Sequence, residues 1–221
     1  GLSAALIEGD GYEIRSDGVY WRDYQGSSNH PEISKNLIRT SADPDTFEPL
    51  EYDQWGRDAH QAYYEGKPLP DSDPDTFRVL NKQIAADAKI VWYEGDLLEG
   101  ADGATFHLLG GAFGADANAA YVGEIRFQPC DLASLTYRGG HLDMFALDQQ
   151  CAYYGSQQIP VLDRAGFQIL TGGFSKDTLA VYWGGDRVEG ADAESFTMVP
   201  DTYIGRDVSG CWLGPQKKAC S

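Results

Sequence analysis

Phe174–Val199, FSKDTLAVYWGGDRVEGADAESFTMV, is the cleanest copy of a unit that runs through the chain. Asp177 opens it. Thr178–Trp183 is rich in β-branched and aromatic residues and predicts a strand. Gly184-Gly185 supplies the positive φ of a tight turn, and Arg187-Val188 predicts a short return strand. Gly190-Ala191-Asp192 ends the hairpin. Asp192 is placed to cap one helical turn by accepting from its free N–H groups. Phe196 and Val199, three apart, share a face of that turn. A hairpin with a capped turn buries almost nothing alone. Stacked on its neighbours, it forms a continuous core.

The register repeats. The opening aspartates are Asp58, Asp87, Asp116, Asp148, Asp177 and Asp207, at intervals of 29, 29, 32, 29 and 30 residues. Aromatic pairs follow at Tyr63-Tyr64, Trp92-Tyr93, Tyr153-Tyr154 and Tyr182-Trp183, then turn glycines at Gly66, Gly95, Gly123, Gly155 and Gly185. The capping aspartates are Asp43, Asp73, Asp102, Asp131, Asp163 and Asp192; four residues on stand Phe47, Phe77, Phe106, Leu135, Phe167 and Phe196. The expected fold is therefore mainly β: an array of about six units of ~29 residues, each a β-hairpin plus a short helical turn. A curved open array and a propeller-like closure both fit this pattern. The whole chain, 1–221, reads as a single repeat domain. Residues 1–11 are a leader, 12–57 a divergent first unit with an insertion, 58–213 the regular units and 214–221 a tail.

The stretches DPDTFEPL (Asp43–Leu50) and SDPDTFRVL (Ser72–Leu80), with the Asp-x4-aromatic-aromatic-x-Gly runs, resemble the DKNYY repeat family of bacterial envelope proteins. The resemblance spans Asp17 to about Trp212. Some proteins with such repeats resemble immunity proteins encoded beside antibacterial toxins, including lipase-type effectors of type VI secretion. The resemblance brings no catalytic residues with it.

Composition bounds the partners. Seventeen Lys+Arg against 34 Asp+Glu give a net charge of −17, which disfavours nucleic acid and anionic membrane surfaces. It suits a basic protein partner, or simple solubility. No run of 18 apolar residues is present, so no membrane insertion is expected, and Leu2–Ile7 is too short for the apolar core of a signal peptide. Four cysteines, Cys130, Cys151, Cys211 and Cys220, allow three pairings and lack zinc spacing. Cys130 precedes a capping aspartate and Cys151 lies on the next strand. Adjacent units touch, so Cys130–Cys151 and Cys211–Cys220 are the expected bridges, pointing to an oxidising compartment such as the periplasm. Four buried free thiols in a cytosolic protein are the competing reading.

Chemical motifs are scarce. No Gly-x-Ser-x-Gly elbow, His-Glu-x-x-His, P-loop or Gly-x-Gly-x-x-Gly occurs. The histidines share no repeat position. Asp43-x-Asp45 and Asp73-x-Asp75 hint at calcium, but capping accounts for them, and no metal or cofactor is expected. Two segments break the register: Arg22–Ser41 and Tyr137–Met144. The first is either a functional loop or a drifted terminal cap. These segments offer Tyr24, His30, Lys35, Arg39, Tyr137, Arg138 and His141 as partner-binding residues, with Trp55 as an anchor in an inter-unit loop. Trp55 could equally be packed beneath that loop.

The expectation is a non-catalytic periplasmic binding protein, an immunity protein that occludes a secreted toxin. The alternatives are a structural or ligand-binding envelope protein with no toxin partner, and an enzyme with an unrecognised site. The sequence sets neither the partner's identity nor the oligomeric state.

Overall fold

The computed structural model describes residues 11–23, 36–140 and 143–220. Tyr24, His30, Lys35 and His141 lie outside the described residues. The described residues are almost wholly β, in seven small antiparallel sheets, the first three-stranded and the others four-stranded. Among the described residues the one helical segment is a 3-10 turn at Leu132–Ser134. The other capped segments are single hydrogen-bonded turns. Contacts divide the chain into two compact units, Gly1–Phe106 and His107–Ser221. The first holds three sheets and the second holds four.

Each four-stranded sheet is a meander in chain order. The sixth consists of Gln168–Ile169, Phe174–Lys176, Val181–Trp183 and Asp186–Arg187. The repeat is therefore a four-stranded sheet and a turn, where the sequence predicts two strands and a turn. Asp177 lies inside a hairpin connection, and the strand expected over Thr178–Trp183 shrinks to its last three residues. The cause is local: Asp177 Oδ1 accepts the N–H groups of Leu179 and Ala180 at 2.7 and 2.8 Å, which winds that segment into a turn. Strands of two or three residues are too short to show a period of two.

Core clusters form between consecutive sheets. In the first unit Trp55, Ala62 and Leu69 of the second sheet cluster with Phe77, Ala85 and Trp92. In the second unit Phe174, Val181 and Val188 of the sixth sheet cluster with Phe196 and Trp212. Phe47, Phe77 and Phe196, each four residues after a capping aspartate, are thus plugs between sheets of one unit. Phe47, Phe77, Phe106 and Phe196 are buried, as the spacing predicts, and Phe167 is only half-buried. Each buried plug contributes about 1.5–3 kcal/mol. A small residue must lie beneath it. A Cβ on Gly56 would stand 2.3 Å from the Phe47 ring, and one on Gly205 would stand 2.1 Å from Phe196.

The hairpin turns dock on the preceding repeat. Gly66 and Gly95 have φ of +78° and +84°, and a Cβ on them would fall 2.6 Å from Trp21 and 2.7 Å from Tyr64. Both the backbone conformation and the close approach therefore select glycine there. The cysteines pair as expected, Cys130–Cys151 and Cys211–Cys220, with Cα separations of 6.0 and 5.1 Å. The first bridge joins the start of a cap turn to the hairpin it rests on. Closing its loop contributes roughly 3 kcal/mol in the chain-entropy account.

Candidate functional site

The most constrained polar groups are the six opening aspartates, all buried. Asp177 shows the pattern. Besides the two bonds on Oδ1, its Oδ2 accepts from Leu162 N (2.8 Å), Asp163 N (3.0 Å) and the Tyr182 hydroxyl (2.7 Å). Asp58 is held alike by His60 N, Gln61 N, Asp43 N and Tyr63. In the last repeat the Trp212 indole N–H donates to Asp207 where Asp58, Asp116, Asp148 and Asp177 each take a tyrosine hydroxyl. One carboxylate thus fastens a hairpin turn, the next strand's aromatic and its own cap turn together. At Asp58, Asp148, Asp177 and Asp207 burial acts to raise the carboxyl, but the converging hydrogen bonds outweigh it. Asp58, Asp148 and Asp207 are held below the ordinary range and Asp177 is lowered to about 2. Conversely, burial, aided by the adjacent carboxylates, pushes Tyr63 and Tyr153 up to about 12. A carboxylate saturated by structural bonds has no lone pair to offer a substrate proton.

Most of the capping aspartates accept backbone N–H groups of their own turn; Asp131 accepts only the Ser134 hydroxyl there. Asp43 accepts from Asp45 N and the Thr46 hydroxyl, both at 3.0 Å, and Asp73 accepts from Asp75 N and Thr76. Beside these turns run two open grooves of about 320 and 310 Å³ at equivalent repeat positions. One is lined by Arg57, Asp58 and Asp75, the other by Lys176, Asp177 and Glu194. Each holds a cation already engaged. Arg57 donates to Pro74 O at 2.9 Å, and Lys176 to Ala193 O at 3.0 Å and Phe196 O at 2.9 Å. Arg78 clasps Gly103 O and Phe106 O in the same way, at 2.7 and 3.0 Å. A cation at the carbonyl end of a helical turn offsets its exposed C=O groups. The grooves are joints between repeats. Sequence reasoning missed them because Arg57 and Lys176, though both directly before an opening aspartate, share that repeat position with Ala86, Ala115, Leu147 and Arg206.

The residues proposed for partner binding are dispersed. Arg39 is exposed on the strand Asn36–Arg39, its guanidinium donating to Asp17 O at 2.5 Å. Trp55 corrects the reading of an inter-unit loop. It lies on the strand Trp55–Arg57 with no exposed surface, its indole N–H donating to Lys82 O at 3.1 Å. It fills the core position that Phe174 holds in the sixth sheet, so it is no surface anchor. Tyr137 is half-buried, 5.5 Å from the Phe113 ring, and its hydroxyl donates to Gly140 O and Asp143 O. It secures the small insertion and leaves Arg138, beside it, exposed.

A surface the sequence did not single out lies at the hairpin-turn end of the second unit. Trp183, Tyr203 and Leu213 are 41 %, 59 % and 47 % exposed. They are contiguous through glycines. Trp183 Nε1 donates to Gly172 O at 3.0 Å, Gly172 backs Tyr203, and Gly214 lies against the Trp183 ring. Tyr154 extends the strip, its hydroxyl near Gly173 and its ring near Gly184. The matching turns of the first unit carry Glu65-Gly66 and Glu94-Gly95, whereas these carry Gly184-Gly185 and Gly214-Pro215. The strip's own side chains are thus uncharged in a chain of net charge −17, with the Asp143 carboxylate accepting from Gly173 N at 2.9 Å beside it. Asp186, paired in register with Trp183, and Asp201 are exposed acidic residues near it in the chain. The signal in the sequence was the exchange of turn glutamate for glycine.

A comparison with family models matches the DKNYY family over residues 5–96 and again over 85–214. No curated protein and no solved structure matches the chain.

Proposed function

The chain belongs to the DKNYY family, and from that premise we propose that it is a non-catalytic binding protein of the bacterial periplasm. In this reading it is an immunity protein that covers the active-site mouth of a secreted antibacterial toxin, such as a lipase-type effector of type VI secretion. The observation that carries the reading is the division of labour among side chains. The repeated carboxylates and groove cations are engaged in joining repeats, while Trp183, Tyr203 and Leu213 stand out on a rigid glycine floor. Exposed aromatics with few neighbouring charges are the composition of binding hot spots. The surrounding acidity speeds encounter with a basic partner. Two disulfides support an oxidising compartment.

The test is calorimetric titration of the oxidised chain against the product of the adjacent gene, with that product's hydrolytic activity measured in parallel. Binding with loss of activity is expected. Trp183→Ala with Tyr203→Ala should weaken binding by about 30-fold or more, as for loss of ~2 kcal/mol at a hot spot. Absence of a complex, with the toxin's activity undiminished, would reject the immunity reading in favour of an envelope role without a toxin.

A further inference from the structure

The fifth cap turn, Asp163–Phe167, departs from its siblings at the cap, at the plug and at the strand below. Gly166 stands where the others have Thr46, Thr76, Thr105, Ser134 and Ser195. The missing hydroxyl is replaced from outside the turn, by Thr178 donating to Asp163 Oδ2 at 2.7 Å. The Phe167 N–H reaches Arg164 O at 3.4 Å, a short bond like that of Leu135 N to Leu132 O at 3.3 Å, whereas Phe47 N and Phe106 N close full turns onto Asp43 O and Asp102 O at 2.9 and 3.0 Å. Phe167 is half-buried where Phe47, Phe77, Phe106 and Phe196 are buried. Ser175, paired with Ile169, occupies the position that holds Gly56, Ala85, Gly114, Ala146 and Gly205 elsewhere.

That serine is the decisive detail. It is fully buried, and its hydroxyl has no hydrogen-bond partner among the described residues; the same holds for the buried Arg164 Nε. Both belong to this one repeat. A buried polar group without a partner destabilises the closed arrangement and gains water when the segment opens. One end of the turn stays fixed, since Leu162 N and Asp163 N both hang on Asp177 Oδ2. The other end continues into the strand Gln168–Ile169.

We propose that Asp163–Phe167 is a latch that opens on its own, hinged at Asp163, while the other cap turns stay shut. Opening lifts Phe167 away from Tyr182, whose ring lies 6.4 Å from it, and admits water to Ser175. The array therefore contains one adjustable joint, and it is written into its sequence by Gly166 and Ser175.

Hydrogen exchange by mass spectrometry on the full oxidised chain tests this. Amides of 164–168 should exchange at least about tenfold faster than those of 44–48 and 193–197, as for a local opening that leaves the rest folded. Ser175→Ala removes the orphaned hydroxyl, and Gly166→Thr with Thr178→Ala restores the usual turn. Each should slow exchange of 164–168 by about threefold or more and leave the other turns unchanged. Equal protection of all the turns would overturn the proposal. So would fast exchange at 164–168 that neither variant slows.

Discussion

Replacing Asp177 by Asn separates the joint described above from ordinary helix capping. The amide oxygen can still accept from Leu179 N and Ala180 N. The amide nitrogen then faces Leu162 N, Asp163 N and the Tyr182 hydroxyl, all of which donate to Oδ2 in the native chain. The hydroxyl can rotate to accept. Two backbone N–H groups cannot, and at about 1–3 kcal/mol for each orphaned donor the loss is about 2–6 kcal/mol. Asp73→Ala is the control. It removes an exposed cap that accepts from Asp75 N and Thr76, and it should cost only about 1 kcal/mol. Urea unfolding followed by tryptophan fluorescence measures both. The difference should also depend on pH in a defined direction. The Asp177 carboxyl falls from an ordinary 3.8 to about 2 on folding. Its contribution is therefore complete above the unfolded value and lost as the pH drops toward 2. Asp177→Asn should cost its full amount at neutral pH and progressively less below about pH 3.8. An Asp177→Asn penalty no larger than that of Asp73→Ala, or one that grows on acidification, would refute the reasoning.

Two further outcomes follow from the packing. Gly205→Ala brings a Cβ to within 2.1 Å of the Phe196 ring without any change in backbone preference. It should lower stability by about 1–3 kcal/mol, measured by the same urea unfolding, and Phe196→Leu should relieve part of the loss. Tyr63 and Tyr153, pushed up to about 12, should remain un-ionised when ordinary tyrosines titrate near ~10. Their stabilising contribution is complete below that pH and lost as it rises toward 12, so phenolate absorbance should show a late class that appears together with unfolding.

Much of the architecture could be read from the chain because each unit repeats its punctuation. Turn glycines, capping aspartates and the Phe four residues later recur at fixed spacing, and each has one physical job. The cysteine pairing was legible for the same reason, since spacing placed Cys130 and Cys151 on touching elements. The burial of the opening aspartates was not legible. A lone Asp before a strand looks like a solvated turn residue, and its partners come from the cap turn about 15 residues upstream. The small residue two places before each of these aspartates was a usable sign of close ring packing, and it also marks Ser175 as the exception. The groove cations were hidden because their shared position, directly before an opening aspartate, holds Arg57 and Lys176 but also Ala86, Ala115 and Leu147, while Arg78 does the same job from another position. Trp55 was misplaced because its three-residue strand shows no alternation. As for the site, Arg39 and Arg138 are exposed, whereas the Trp183–Tyr203 strip depends on which aromatics the stacking leaves uncovered.

The bridge at the seventh sheet makes the hold on this unit depend on redox state. In the second and sixth sheets the triads Trp55, Ala62, Leu69 and Phe174, Val181, Val188 pack with the next repeat's phenylalanine. In the seventh the same positions carry Ile204, Cys211 and Lys218, and Cys211 is tied to Cys220 instead. Cys211 is the buried member of that triad, so opening its bridge removes the covalent tie from the core position of this sheet. A reductant opens Cys130–Cys151 as well, and the two ties of this unit are lost together. Redox state thus sets how the unit is held: by two covalent ties and packing when oxidised, and by packing and hydrogen bonds when reduced.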